Sequence, residues 1–167
     1  MKKATVSMLS TALLMSVVLP TGVFAANVDA QIETNPGVQY KTHIQDIGWE
    51  ANWKNNGELS GTVNQSKRLE AMIVQLTGSF PAGANIKVMT HVQNRGDLGP
   101  FEMGKEAGTD GEGLRMESIT LALSNLPGYR LKYNVQVQNK GWIRNENDVD
   151  TWFNGGETAG TDRKSVV

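Results

Sequence analysis

Cysteine is missing altogether from the 167 residues. Its absence rules out disulfides, cysteine-ligated zinc sites and a thiol nucleophile. Histidine is scarce, with two copies, so metal ligation is poorly supplied. Neither sign of charge dominates: 16 Lys and Arg stand against 17 Asp and Glu. No basic stripe can therefore neutralise a phosphate backbone, and nucleic acid is not an expected partner. Beyond residue 25 there is no convincing helical stripe and no long apolar run.

The one apolar run sits at the start. Lys2 and Lys3 precede Ala4 to Leu19, an apolar stretch of 16 residues mixed with small polar ones. It is shorter than the roughly 20 residues a membrane-spanning helix needs. Pro20 and Gly22 lead into Val23-Phe24-Ala25, whose small side chains at Val23 and Ala25 suit signal peptidase. Residues 1–25 thus read as an export signal cut before Ala26, the alternative being an uncleaved anchor. After cleavage no stable membrane span is expected. Export without cysteine suggests a Gram-positive style of secreted protein, stabilised by packing instead of cross-links.

What the chain does have is repetition. Thr42 to Trp49 reads THIQDIGW, Thr90 to Gly96 reads THVQNRG, and Val135 to Trp142 reads VQVQNKGW. Each phrase is followed by a Gly-Thr, at Gly61-Thr62, Gly108-Thr109 and Gly160-Thr161. In the first two copies an Arg-x-Glu comes seven residues after that glycine, at Arg68-Leu69-Glu70 and Arg115-Met116-Glu117. Gly48, Gly96 and Gly141 lie 48 and 45 residues apart, which fixes the register. The expected organisation is a linker at 26–37 and three units at 38–80, 81–127 and 128–167, the third incomplete because its Arg-x-Glu position falls at Val167.

Within each unit the hydrophobic period is two. Val38, Tyr40, Thr42 and Ile44 alternate with Gln39, Lys41, His43 and Gln45, and Ile86 to Gln93 and Leu131 to Gln138 repeat the pattern. Such alternation predicts half-buried strands, with RLEAMIVQL (Arg68 to Leu76) and RMESITLAL (Arg115 to Leu123) as their partners. Gly- and Asn-rich turns separate them. Three short units that cannot each bury a face alone predict an all-β domain, expected as a pseudo-threefold β-prism or β-trefoil-like arrangement.

Val38 to Leu76 resembles the clostridial hydrophobic, conserved Trp repeats, the ChW family. The resemblance rests on the Tyr-x-x-His-x-Gln-x-x-Gly-Trp strand, a second Trp, the Gly-Glu-x-x-Gly-Thr turn and the Arg-Leu-Glu-Ala strand. It implies a secreted, non-catalytic module of Gram-positive bacteria for cell-surface attachment or polysaccharide interaction, often appended to hydrolases or adhesins. The second unit departs by placing Asp97 where Trp is expected. The third carries Gln136 for His and a longer insert, Ile143 to Thr151.

The chemistry of the repeated positions can be weighed independently. His43 and His91 occupy equivalent places and Gln136 the third. A side chain that Gln replaces is expected to donate hydrogen bonds to neighbouring backbone instead of shuttling protons. Arg68 with Glu70, and Arg115 with Glu117, project from one strand face and are expected to pair. A glycosidase would need the two carboxylates about 5 to 10 Å apart, which nothing in the sequence indicates. Trp53, Phe101 and Trp152 lie eight, seven and eight residues before the Gly of Gly-Thr and read as one aromatic core position written three times. Trp49 and Trp142, with Asp97 as their counterpart, read as surface positions. An exposed indole has the apolar face and N–H donor that stack on sugars and anchor interfaces, so these three are the candidate ligand-binding residues. The acidic loop Asn145 to Asp150 has calcium-type oxygens, but it lacks the glycine and terminal glutamate of an EF-hand, and a solvated loop is expected. The sequence therefore predicts no catalytic residue, no cofactor and no metal. The expected partner is a cell-wall or extracellular glycan, the alternatives being a surface protein in adhesion or an accessory place in a polysaccharide hydrolase.

Overall fold

A computed structural model describes residues 35–161. The expected export signal, the linker before residue 35 and residues 162–167 lie outside that range. Unit 1 contributes β1 (Gly37–Ile44), β2 (Gly48–Trp49), β3 (Lys54–Asn55) and β4 (Leu69–Thr77). Unit 2 contributes β5 (Asn85–Val92), β6 (Gly96–Phe101), β7 (Glu106–Gly108) and β8 (Met116–Ser124). Unit 3 contributes β9 (Lys132–Tyr133), β10 (Gln136–Val137), β11 (Gly141–Trp142), β12 (Phe153–Asn154) and β13 (Thr158–Gly160), with a 3-10 turn at Val149–Thr151. The described chain is all-β.

The recurring phrase encodes a hairpin. Asp46, Asn94 and Asn139 adopt φ of 60°, 60° and 64°, and Gly48, Gly96 and Gly141 adopt 86°, 76° and 77°. Asn, Asp and Gly tolerate this left-handed backbone at least cost, which is why the turn is written with them. The turn closes when the amides of Ile47, Arg95 and Lys140 donate to the carbonyls of Ile44, Val92 and Val137. The strand before it then folds back on the short strand after it.

Long antiparallel ladders join β1 to β4 and β5 to β8, one in each of the first two units. Units are joined in series. β7 of unit 2 pairs with β4 of unit 1 through Ala71↔Gly108, Met72↔Ala107 and Ile73↔Glu106. β13 of unit 3 repeats this on β8 of unit 2 through Ser118↔Gly160, Ile119↔Ala159 and Thr120↔Thr158. Among the described residues no strand of unit 3 pairs with a strand of unit 1. The pairing thus draws an open series and does not display the closure that a threefold prism or trefoil requires.

The glycine of Gly-Thr explains the joint. A Cβ on Gly108 would meet the Glu70 carbonyl oxygen at 2.4 Å and Ala71 Cα at 2.8 Å, and one on Gly160 would meet the Glu117 oxygen at 2.3 Å. Only glycine admits this backbone approach, at φ of 118° and 142°. The following amides, of Thr109 and Thr161, donate to the same Glu70 and Glu117 carbonyls, each at 2.9 Å. One apolar cluster then runs through all three units, from Val38, Met72 and Val74 through Ile86, Val88, Met116 and Leu121 to Tyr133, Val137 and Trp152. Its continuity removes from water the faces that single units would leave exposed.

Candidate functional site

The ladder register aligns the candidate residues. His43 faces Trp49, His91 faces Asp97 and Gln136 faces Trp142 across equivalent hairpins. On its other side each histidine meets a bulge. His43 faces Ala71 while Ile44 faces Leu69, so Glu70 is the extra residue; Glu117 is the extra residue between Ser118 and Met116. A bulge re-aims a side chain. Here it turns a buried glutamate toward the histidine.

In unit 1 the His43 Nδ1 atom lies 3.1 Å from Glu70 Oε2, and Glu70 Oε1 accepts from Arg68 Nε at 2.9 Å. His43 Nε2 is 3.0 Å from Asp110 Oδ1. Asp110 belongs to unit 2, immediately after Gly108-Thr109, so the backbone joint delivers it to this place. Its Oδ2 atom accepts from the Trp49 indole at 3.1 Å. Trp49 meets the His43 ring edge-on, centroids 5.4 Å apart. Unit 2 treats its histidine differently: His91 Nδ1 meets its own Asp97 at 2.7 Å and its Nε2 is 3.7 Å from Glu117, which is held by Arg115. The histidines therefore face carboxylates, which corrects the expectation of backbone partners. The bulge, which period-two reading does not contain, supplies Glu70 and Glu117; Asp110 comes from the joint and Asp97 from across the hairpin. In unit 3 Gln136 Oε1 is buried with no hydrogen-bond partner.

Around Trp49 the first unit builds an aromatic and cationic surface. The Lys41 ammonium lies 5.5 Å from the Trp49 ring centroid and 5.2 Å from that of Trp53. Both indoles are half-buried. Trp53 is therefore not a core plug. Trp152 is buried, its indole donating to the Asn145 carbonyl at 2.9 Å, and Phe101 packs against the core from a half-buried position. The register corrects the triple as well: Phe101 faces Val88 as Phe153 faces Tyr133 and Lys54 faces Tyr40. Phe101 thus corresponds to Phe153, one place beyond Trp152. Trp142 is half-buried and Asp97 is exposed.

Three contributors escaped the sequence reading. Asp110 and Lys41 are two. Glu50 is the third: it accepts from the Thr42 amide at 3.1 Å, from the Gly61 amide at 3.2 Å and from the Ser60 hydroxyl. A side chain thus holds Ser60-Gly61 in unit 1, where the equivalent segments of units 2 and 3 pair with an upstream strand. Leu98 and Ile143 take its place in the later hairpins. The signal for Asp110 was present, because Gly-Thr is followed by Asp at 110 and 162 but by Val63 in unit 1.

Protonation is perturbed at a few structural positions. Burial pushes Tyr133 up to about 12, against the Leu121 amide donating to its oxygen. Burial also raises Tyr40. Hydrogen bonding from Lys87 and then Asn85 lowers Glu102, and the Asn154 amide lowers Glu157. In the acidic loop Asn145 and Asp148 cap turns, accepting from the amides of Asn147 and Asp150. Among the described residues no group of three or more His, Asp or Glu is placed to hold a metal.

A family model described as Clostridial hydrophobic W matches residues 43–78 and 91–125. Units 1 and 2 are ChW repeats. The matched ranges carry the histidine, the hairpin, the Gly-Thr and the Arg-x-Glu of each copy, so the bulge and the joint described above are features of these repeats in this chain. Unit 3 lies outside both ranges and is related to them by its strand register. No curated protein and no solved structure matches the chain.

Proposed function

We propose that this chain is an exported, non-catalytic binding module that attaches to cell-surface or extracellular polysaccharide of a Gram-positive bacterium. The observation that carries the reading is the Trp49 surface: two half-buried indoles set on a ChW hairpin and flanked by Lys41. Because the indole N–H of Trp49 is taken by Asp110, its ring is what a ligand would meet. Flat apolar rings suit the C–H faces of sugars. Trp142 gives unit 3 a second indole at the equivalent place, whereas Asp97 gives unit 2 none.

The proposal is tested by co-sedimentation of the exported chain with Gram-positive cell walls and insoluble polysaccharides, before and after protease treatment of the particles. Pelleting that survives protease and is competed by soluble glycan is expected. Pelleting abolished by protease would replace this reading with protein adhesion. Trp49→Ala in a folded protein is expected to weaken retention about tenfold or more, the scale of a lost aromatic anchor.

A further inference from the structure

Lys41 is an unmatched charge. Of the cations of units 1 and 2, Lys54, Lys67, Arg68, Lys87, Arg95 and Arg115 each lie within 4.0 Å of a carboxylate, whereas Lys41 and Lys105 have no such partner among the described residues. Lys41 lies instead over two indole faces, those of Trp49 and Trp53. Across the ladder it faces Ile73, and the next residue in that row is Glu106, on β7. Two strand spacings separate the two backbones by roughly 10 Å, and no ion pair joins Lys41 to Glu106 in the described structure. Of the other groups around Trp49, Glu70 pairs with Arg68, and Asp110 is engaged by the Trp49 indole and lies 3.0 Å from His43 Nε2.

An ammonium held over aromatic faces keeps its attraction for an anion, and a ligand carrying one can meet the charge and the rings together. The equivalent positions in the other hairpins are Met89 and Asn134, which carry no charge. We infer that the Trp49, Lys41 and Trp53 surface of unit 1 reads an anionic glycan, one whose sugar rings stack on the indoles while a carboxylate or phosphodiester engages Lys41. This deepens the proposed glycan binding and rests on it.

Two matched pairs of probes test the inference. The first is polygalacturonate against its methyl-esterified form, which keeps the sugar chain and removes the carboxylates. The second is Gram-positive cell walls before and after acid extraction of their phosphodiester polymers. The full chain is expected to prefer at least one charged member by about tenfold, with the preference falling as salt rises. The pair that shows the preference distinguishes carboxylate from phosphodiester. Lys41→Gln, checked for an unchanged melting temperature, is expected to abolish the preference while retaining the weaker binding to the neutral form. Equal binding to both members of both pairs would overturn the inference and leave glycan binding standing, as would a preference that Lys41→Gln does not alter. Failure to bind any of the four would sink both readings.

Discussion

Units 1 and 2 hold the same histidine at the same register, yet supply its second carboxylate from different places. His91 is met by Asp97 of its own hairpin, whereas His43 is met by Asp110 of the next unit. The difference shows what the exchange of Trp49 for Asp97 accomplishes. Where the hairpin carries an acid, the histidine is satisfied locally and the surface is polar. Where it carries an indole, the following unit provides the acid, which also fixes the indole through its N–H. The Trp49 surface is consequently a product of two units, and the joint between them is part of the site.

Breaking the joint should have the largest effect. Gly108→Ala drives a Cβ to 2.4 Å from the Glu70 carbonyl, and a cost of about 3 kcal/mol is expected from strain and displaced backbone. Gly141→Ala is the control, since its Cβ would meet nothing within 4 Å at a φ of 77°. Backbone strain alone predicts about 1 kcal/mol there. Urea unfolding of the two variants measures the contrast, and equal losses would show that the close approach at Gly108 is not restrictive.

Next in size is Glu70→Ala, which leaves Arg68 and His43 facing an empty bulge and is expected to cost about 2 kcal/mol. Replacing Glu50 by Leu, the residue unit 2 carries at Leu98, removes the acceptor for Gly61 and Ser60 and is expected to cost about 1 to 2 kcal/mol. Thermal unfolding measures both. A stabilised Glu50→Leu protein would mean that Ser60-Gly61 needs no acceptor.

A smaller effect concerns alkaline pH. Tyr133 is raised in the folded state to about 12, so the unfolded chain loses this proton first as pH climbs. Its contribution is complete below the unfolded value near 10 and is lost as pH rises toward about 12. Stability should therefore fall across that interval, and Tyr133→Phe should fall less steeply from a lower starting value. Parallel curves for the two proteins would remove Tyr133 from the account. Smallest of all is Asp97→Asn, an exposed pair on unit 2, expected to change stability by no more than about a few tenths of a kcal/mol.

Much of this fold is written locally. Alternation of Ile86, Val88, Thr90 and Val92 against Lys87, Met89 and His91 gives the strand and its buried face, and the Asp-x-Gly or Asn-x-Gly after it gives the turn. Arg68 and Glu70 are close in sequence, so their contact could be read from spacing. Contacts between units could not. Asp110 and Trp49 are 61 positions apart, and only the Gly108 joint brings them together. Likewise three copies of a motif do not say whether the ends meet: closure depends on which strand accepts each Gly-Thr segment, and for units 2 and 3 the acceptor is the preceding unit, while in unit 1 Glu50 holds the segment. The bulge at Glu70 and Glu117 shifts the period by one residue, which hides from a period-two pattern one carboxylate partner of each histidine. Phe101 lies seven residues before Gly108, as Lys54 does before Gly61 and Phe153 before Gly160, so it matches those positions and not Trp53 and Trp152, which lie at eight.

The central claim, that Asp110 of unit 2 completes the His43 and Trp49 site of unit 1, is tested most directly by a double-mutant cycle. His43→Gln, Asp110→Asn and the pair would be compared by urea unfolding. Residues in contact give non-additive losses, and a coupling of about 1 kcal/mol is predicted. Losses that add within about 0.3 kcal/mol would contradict the claim and reduce Asp110 to a loop residue without a role in the site.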